Sequence, residues 1–172
     1  MSNYIVSYNQ SLRNLYTENR VYATRAGRDN ANALSLAKAD TNAVGRGILT
    51  LGNFNYSTDD EGATTSEKAN LHKKLRAFVD SYNLSLDSVS GTKDKAATKV
   101  SKKLQKLIEK NKDELSSYGI SVKSGGYLSL SNSAVENLSF ETFEKKFGKD
   151  SEFMSELSKF EKQLSRHFDS YA

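Results

Sequence analysis

The segment Gly119-Ile120-Ser121-Val122-Lys123-Ser124-Gly125-Gly126-Tyr127-Leu128-Ser129-Leu130 decides how the chain folds. Ile120 and Val122 on one arm, and Leu128 and Leu130 on the other, alternate with Ser121, Lys123 and Ser129. Each short arm therefore has one apolar face, with Gly125-Gly126 at the turn, which predicts a β-hairpin. A two-stranded hairpin alone is marginal in water, so its apolar face must lie against the elements on either side. Those elements read as helices.

Upstream, Thr64 and Glu67 match a capping box that opens a helix with the stripe Leu71, Leu75, Phe78, Val79, Tyr82, Leu86 and Val89. Ser90-Gly91-Thr92 ends it. The next helix is predicted over residues 94–118, with Ala97, Val100, Leu104, Leu107, Ile108 and Leu115 inward and Gly119 at the position of a C-terminal cap glycine. Its outer face is almost all lysine: Lys95, Lys99, Lys102, Lys103, Lys106 and Lys110. Lysines can hold phosphates, but no arginine or interleaved aromatic residue stands here for bidentate grip or base stacking. The segment is read as a solvated helix face, and a nucleic-acid partner is not expected.

Downstream, Ser133 with Glu136 forms a second capping-box pattern, predicting a helix with Val135, Leu138, Phe143 and Phe147 that Gly148 stops. Asp150 can cap the last helix, whose seam is Phe153, Leu157, Phe160, Leu164, His167 or Phe168, and Tyr171. These residues either complete the bundle's own core or leave an assembly face for another subunit. Phe153, Leu157, Phe160, Leu164 and Phe168 are the candidate contacts.

Towards the N-terminus, Leu12, Leu15, Tyr16 and Tyr22 predict a weakly patterned helix ending near Gly27. From Asp29 onward Leu34, Ala37, Thr41, Val44, Ile48 and Leu51 recur at spacings of three and four, the mark of a helix face. Asp29 or Asn30 can cap its start and Gly52 its end. Gly45 and Gly47 mark either a close helix contact or a break. Residues 53–65 read as a loop containing Asp59-Asp60-Glu61-Gly62. A calcium-loop register on Gly62 puts Ser57 first and Lys68 last, where a bidentate Glu is required, so no calcium site is expected.

Composition narrows the function classes. The 172 residues suit one ordinary domain or two small ones. The expected organisation is an N-terminal helical segment with an acidic loop (1–67) and a helix-hairpin-helix region (68–172), forming one continuous domain. There is no proline, where average usage of about 5% would give roughly eight, and its absence permits long helices. There is no cysteine, which removes disulfides and thiolate chemistry. His72 and His167 are the only histidines and lie far apart, and no phosphate-binding loop or nucleophile elbow occurs. No catalytic residue, cofactor or metal is expected. No apolar run is long enough for membrane insertion and no cleavable secretory signal is recognised.

Phe78-Val79-Asp80-Ser81-Tyr82-Asn83, the segment 115–120 and Gly126-Tyr127-Leu128-Ser129-Leu130 occur in an order that resembles the C-terminal helical region of bacterial flagellar filament capping proteins. The likeness covers roughly residues 68–165, and Phe143 to Phe147 resembles the phenylalanine-bearing segment that follows. Capping proteins carry large β-rich middle domains, for which 172 residues leave no room, so the resemblance implies a reduced relative. It further implies a non-enzymatic cap or axial component, exported to the flagellum without a cleavable signal and packing against other flagellar or filament proteins or copies of itself. The alternative is a cytoplasmic helical chaperone or adaptor for exported flagellar proteins. The expected fold is mainly α: an elongated helical bundle with coiled-coil-like packing and one small antiparallel β-hairpin at about 120–130.

Overall fold

The computed structural model describes residues 27–57, 64–136 and 139–171. Two compact units are present, Met1–Asn32 and Ala33–Ala172, so positions on both sides of residue 67 belong to the second. Of the first unit, residues 27–32 are described, with a helical turn at 27–29. The helix expected around Leu12 to Tyr22 lies outside the described residues.

The second unit is mainly helical with one two-stranded antiparallel sheet. In order it contains α1 (Ala33–Gly52), α2 (Thr65–Gly91), α3 (Lys95–Lys110), α4 (Lys112–Ser117), β1 (Ile120–Val122), a 3-10 turn (Ser124–Gly126), β2 (Leu128–Leu130), α5 (Phe140–Phe147) and α6 (Glu152–Asp169).

Helix α1 buries Ala37, Thr41, Val44, Ile48 and Leu51, as its spacing predicts. It starts later than Asp29 or Asn30, because residues 28–31 close a turn through the Ala31 N–H and the Arg28 carbonyl instead. Gly45 and Gly47 mark close contacts and not a break. A Cβ at Gly47 would stand 3.3 Å from the Phe78 Cα on α2, and one at Gly45 would stand 2.7 Å from a Glu161 carboxylate oxygen on α6. The Thr41 hydroxyl on the same helix is buried without a hydrogen-bond partner. Thr41→Val keeps the shape and removes that desolvated group, so it should stabilise the fold by about 1 kcal/mol, read from the urea unfolding midpoint.

The capping box at Thr64 and Glu67 forms as expected: the Glu67 N–H donates to Thr64 Oγ1 at 3.2 Å, and the Thr64 N–H donates to Glu67 Oε2 at 2.8 Å. The helix expected over 94–118 is divided at Asn111 into α3 and α4. There Asn111 Nδ2 donates to the Leu107 carbonyl at 2.8 Å, a side-chain bond that competes with the helical ladder. Asn111 Oδ1 accepts from Lys146 Nζ at 2.6 Å, tying this kink to α5.

Two expected caps move by a few residues. Residues 131–136 form turns, so Ser133 and Glu136 open no helix. Ala134 and Val135 are buried here, and Ala134 lies so near Gly119 that a Cβ on that glycine would come within 2.7 Å of the Ala134 Cβ. Helix α5 instead starts at Phe140, with Ser139 Oγ accepting the Thr142 N–H at 3.0 Å; Leu138 lies outside the described residues. Helix α6 is capped by Ser151, not Asp150. Ser151 Oγ accepts the Met154 N–H at 3.1 Å and donates to the Lys146 carbonyl at 2.7 Å.

The core has two centres. The larger one gathers the apolar faces of α1 and α2, the inner residues of α3 and α4, the hairpin, and Phe140, Phe143, Phe147, Phe153, Met154 and Leu157. The smaller one joins Ala37 of α1, Val89 of α2, Ala97 and Val100 of α3, and Leu164 and Phe168 of α6. Phe160 packs against both. Four helices therefore converge where α6 ends, which is bundle packing.

Candidate interaction surfaces

The hairpin is locked to α2 by the two residues that follow Asp80-Ser81. Ile120, Ser121 and Val122 pair with Leu130, Ser129 and Leu128. The bonds Lys123 N–H to Tyr127 O, 2.7 Å, and Ser131 N–H to Gly119 O, 2.8 Å, bracket this ladder. In an antiparallel pair the bonded positions alternate, which turns the main-chain groups of Leu128 away from β1. There Asn83 meets both: its Nδ2 donates to the Leu128 carbonyl at 2.8 Å and its Oδ1 accepts the Leu128 N–H at 2.9 Å. Tyr82, one residue earlier, donates its hydroxyl to the Gly126 carbonyl at 3.0 Å. Burial pushes the Tyr82 phenol well above its ordinary pKa, so it remains a proton donor. Gly125 and Gly126, at φ 76° and 77°, supply the left-handed turn conformations that bring this carbonyl within reach.

The seam on α6 faces inward. Phe153, Leu157, Leu164 and Phe168 are buried and Phe160 is half-buried, so the expected assembly face is closed within the chain. At the fifth position of the seam, His167 or Phe168, it is Phe168 that enters the core. His167 instead points its Nε2 at Asp94 Oδ2, 2.9 Å away, and the Tyr171 hydroxyl donates to the same oxygen at 3.0 Å. Asp94 Oδ1 meanwhile accepts the Ala96 and Ala97 N–H groups at the start of α3. The Ala97 N–H first, then His167, hold the Asp94 carboxyl well below the usual carboxylate range. One side chain thus caps α3 and fastens the end of α6 to it.

Two surface features among the described residues bear on partners. Lys95, Lys99, Lys102, Lys103 and Lys106 of α3, joined by Lys93, line a shallow cleft of about 490 Å³, and with Lys110 they are exposed as expected. Between α1 and α6 lies a second groove, about 350 Å³, with Leu49 and Met154 among its apolar lining and Lys149, Lys159 and Lys162 around it. Sequence reasoning missed this groove. Its signal was Leu49, an apolar residue beside Ile48 but off the buried stripe, and it is 64% exposed.

No group of three His, Cys, Asp or Glu side chains among the described residues is placed to hold a metal ion. No helix among them is long and apolar enough to cross a membrane. Comparisons with protein-family models, with curated proteins and with solved structures gave no match.

Proposed function

We propose that this chain is a non-enzymatic structural protein resembling a flagellar filament cap or axial component, acting by helix packing against other subunits. The observation that carries this reading is the lock between α2 and the hairpin. The motifs behind the resemblance, Tyr82-Asn83 and the Gly126-to-Leu130 arm, bond directly to each other across 44 and 45 positions of sequence. That contact makes the two motifs one structural unit, which supports reading them together. A helical bundle with apolar stripes, whose core burial contributes roughly 25 cal/mol per Å², suits a scaffold.

A chaperone or adaptor would use the C-terminal phenylalanine seam as a binding groove or as a helix inserted into its client. With Phe153 and Phe168 in the core, that groove is not presented by this fold. Export through the flagellar apparatus is part of the proposal, so the native protein should appear in shed filaments and in the medium, and be retained in cells whose export apparatus is disabled. Detection in the cytosol alone, with filaments of normal length in a deletion strain, would count decisively against it.

A further inference from the structure

Among the described residues the large apolar side chains left exposed are Leu49, Leu84 and Tyr171, and the two leucines sit in opposite charge settings. Leu49 borders a groove whose charged lining is Lys149, Lys159 and Lys162, with no carboxylate. Leu84, 40% exposed, lies on the outer face of α2 with Asp80 four residues before it and Asp87 three residues after. That spacing puts the three on one stripe of the helix. Asp80 and Asp87 are both exposed, and Asp87 Oδ1 accepts the Tyr127 hydroxyl, which orients its carboxylate from the hairpin side. One surface is a leucine between acids and the other a leucine among bases.

We propose that the Asp80-Leu84-Asp87 stripe of one copy docks in the Leu49 groove of a second copy. Leu84 would cover Leu49 and Met154, and the aspartates would meet the groove lysines. The inference rests on the structural role proposed above and names its partner as the chain itself. Exposed apolar side chains lose contact with water on docking, and opposite charges at the rim set the register and speed encounter more than they add affinity. Groove and stripe are different surfaces, so the contact is heterologous and can repeat from copy to copy or close into a ring. The lysine face of α3 has no such complement, because no exposed apolar residue stands at its centre.

The test is sedimentation velocity on the full chain and two variants. Wild type should associate with rising concentration, and somewhat less strongly in about 1 M salt, where charges are screened beyond about 3 Å. Leu49→Asp removes the groove and keeps the stripe, while Leu84→Lys removes the stripe and keeps the groove. Each alone should associate at least tenfold more weakly. Their equimolar mixture should recover association and stop at a one-to-one pair, since one intact groove and one intact stripe remain. A wild type that stays monomeric at every concentration, or a mixture no better than either variant, overturns the proposal. A protein present in filaments yet monomeric in isolation refutes this contact and leaves the axial role standing. One that associates but stays in the cytosol refutes the axial role and leaves the contact.

Discussion

Phe168→Ala should lower the unfolding free energy by about 3–5 kcal/mol, the range for emptying a fully buried aromatic site. The side chain is 1% exposed and meets α1, α2 and α3 through Ala37, Val89, Ala97 and Val100. Those neighbours are small or β-branched and belong to three separate helices, so they cannot collapse into the space without moving backbone. The loss also falls beside the Asp94 cap, which fastens the same turn of α6 through His167. An assembly residue on the surface behaves differently: Leu49→Ala, at an exposed position, should change stability by no more than about 0.5 kcal/mol. Chemical denaturation of both variants under conditions where the protein is monomeric separates the two roles. A Phe168 effect below about 1 kcal/mol would mean that the end of α6 is not part of the core.

That contrast shows where the sequence was legible and where it was not. Periodicity finds apolar faces, and it placed the buried apolar residues of α1, α2 and α3 and four of the five seam residues of α6 on their correct sides, though not the buried Asp40, Ser85, Ser88 and Ser101. It cannot say what covers a face, because a stripe packed inside the chain and one awaiting a partner have the same spacing. The groove at Leu49 was hidden for the converse reason, since an isolated apolar residue off the stripe carries no period. A complete box was no guarantee of a cap: the pattern at Thr64 and Glu67 formed one, while the equally complete pattern at Ser133 and Glu136 did not. Caps misled at Ser133 and Asp150, where the local pattern was acceptable but Ala134 lies against Gly119 and Ser151 bonds back to the Lys146 carbonyl, and the helices start after Ser139 and Ser151 instead. The division at Asn111 carries a bond to a lysine 35 positions away, which no window of sequence contains.

The hairpin depends on one amide in the same way, and Asn83→Ala should cost about 2–4 kcal/mol. The estimate follows from two half-buried main-chain groups of Leu128 losing their partner at about 1–3 kcal/mol each, with some recovery through water at the edge. The asparagine acts as a third strand's worth of pairing at a single residue: one donor and one acceptor, set against one carbonyl and one N–H. Asn83→Asp tests that reading more sharply, because it keeps the acceptor for the Leu128 N–H but replaces the donor with an oxygen facing the Leu128 carbonyl. It should therefore destabilise, although it is nearly isosteric. Amide hydrogen exchange supplies the local measurement. In Asn83→Ala the Leu128 N–H should lose protection by more than the global loss of stability explains, while the amides of α6 follow the global change alone. If Leu128 remains as protected as its neighbours, its N–H has found another partner and Asn83 is not what holds the hairpin on α2. The proposed function would then lose the contact that supports it.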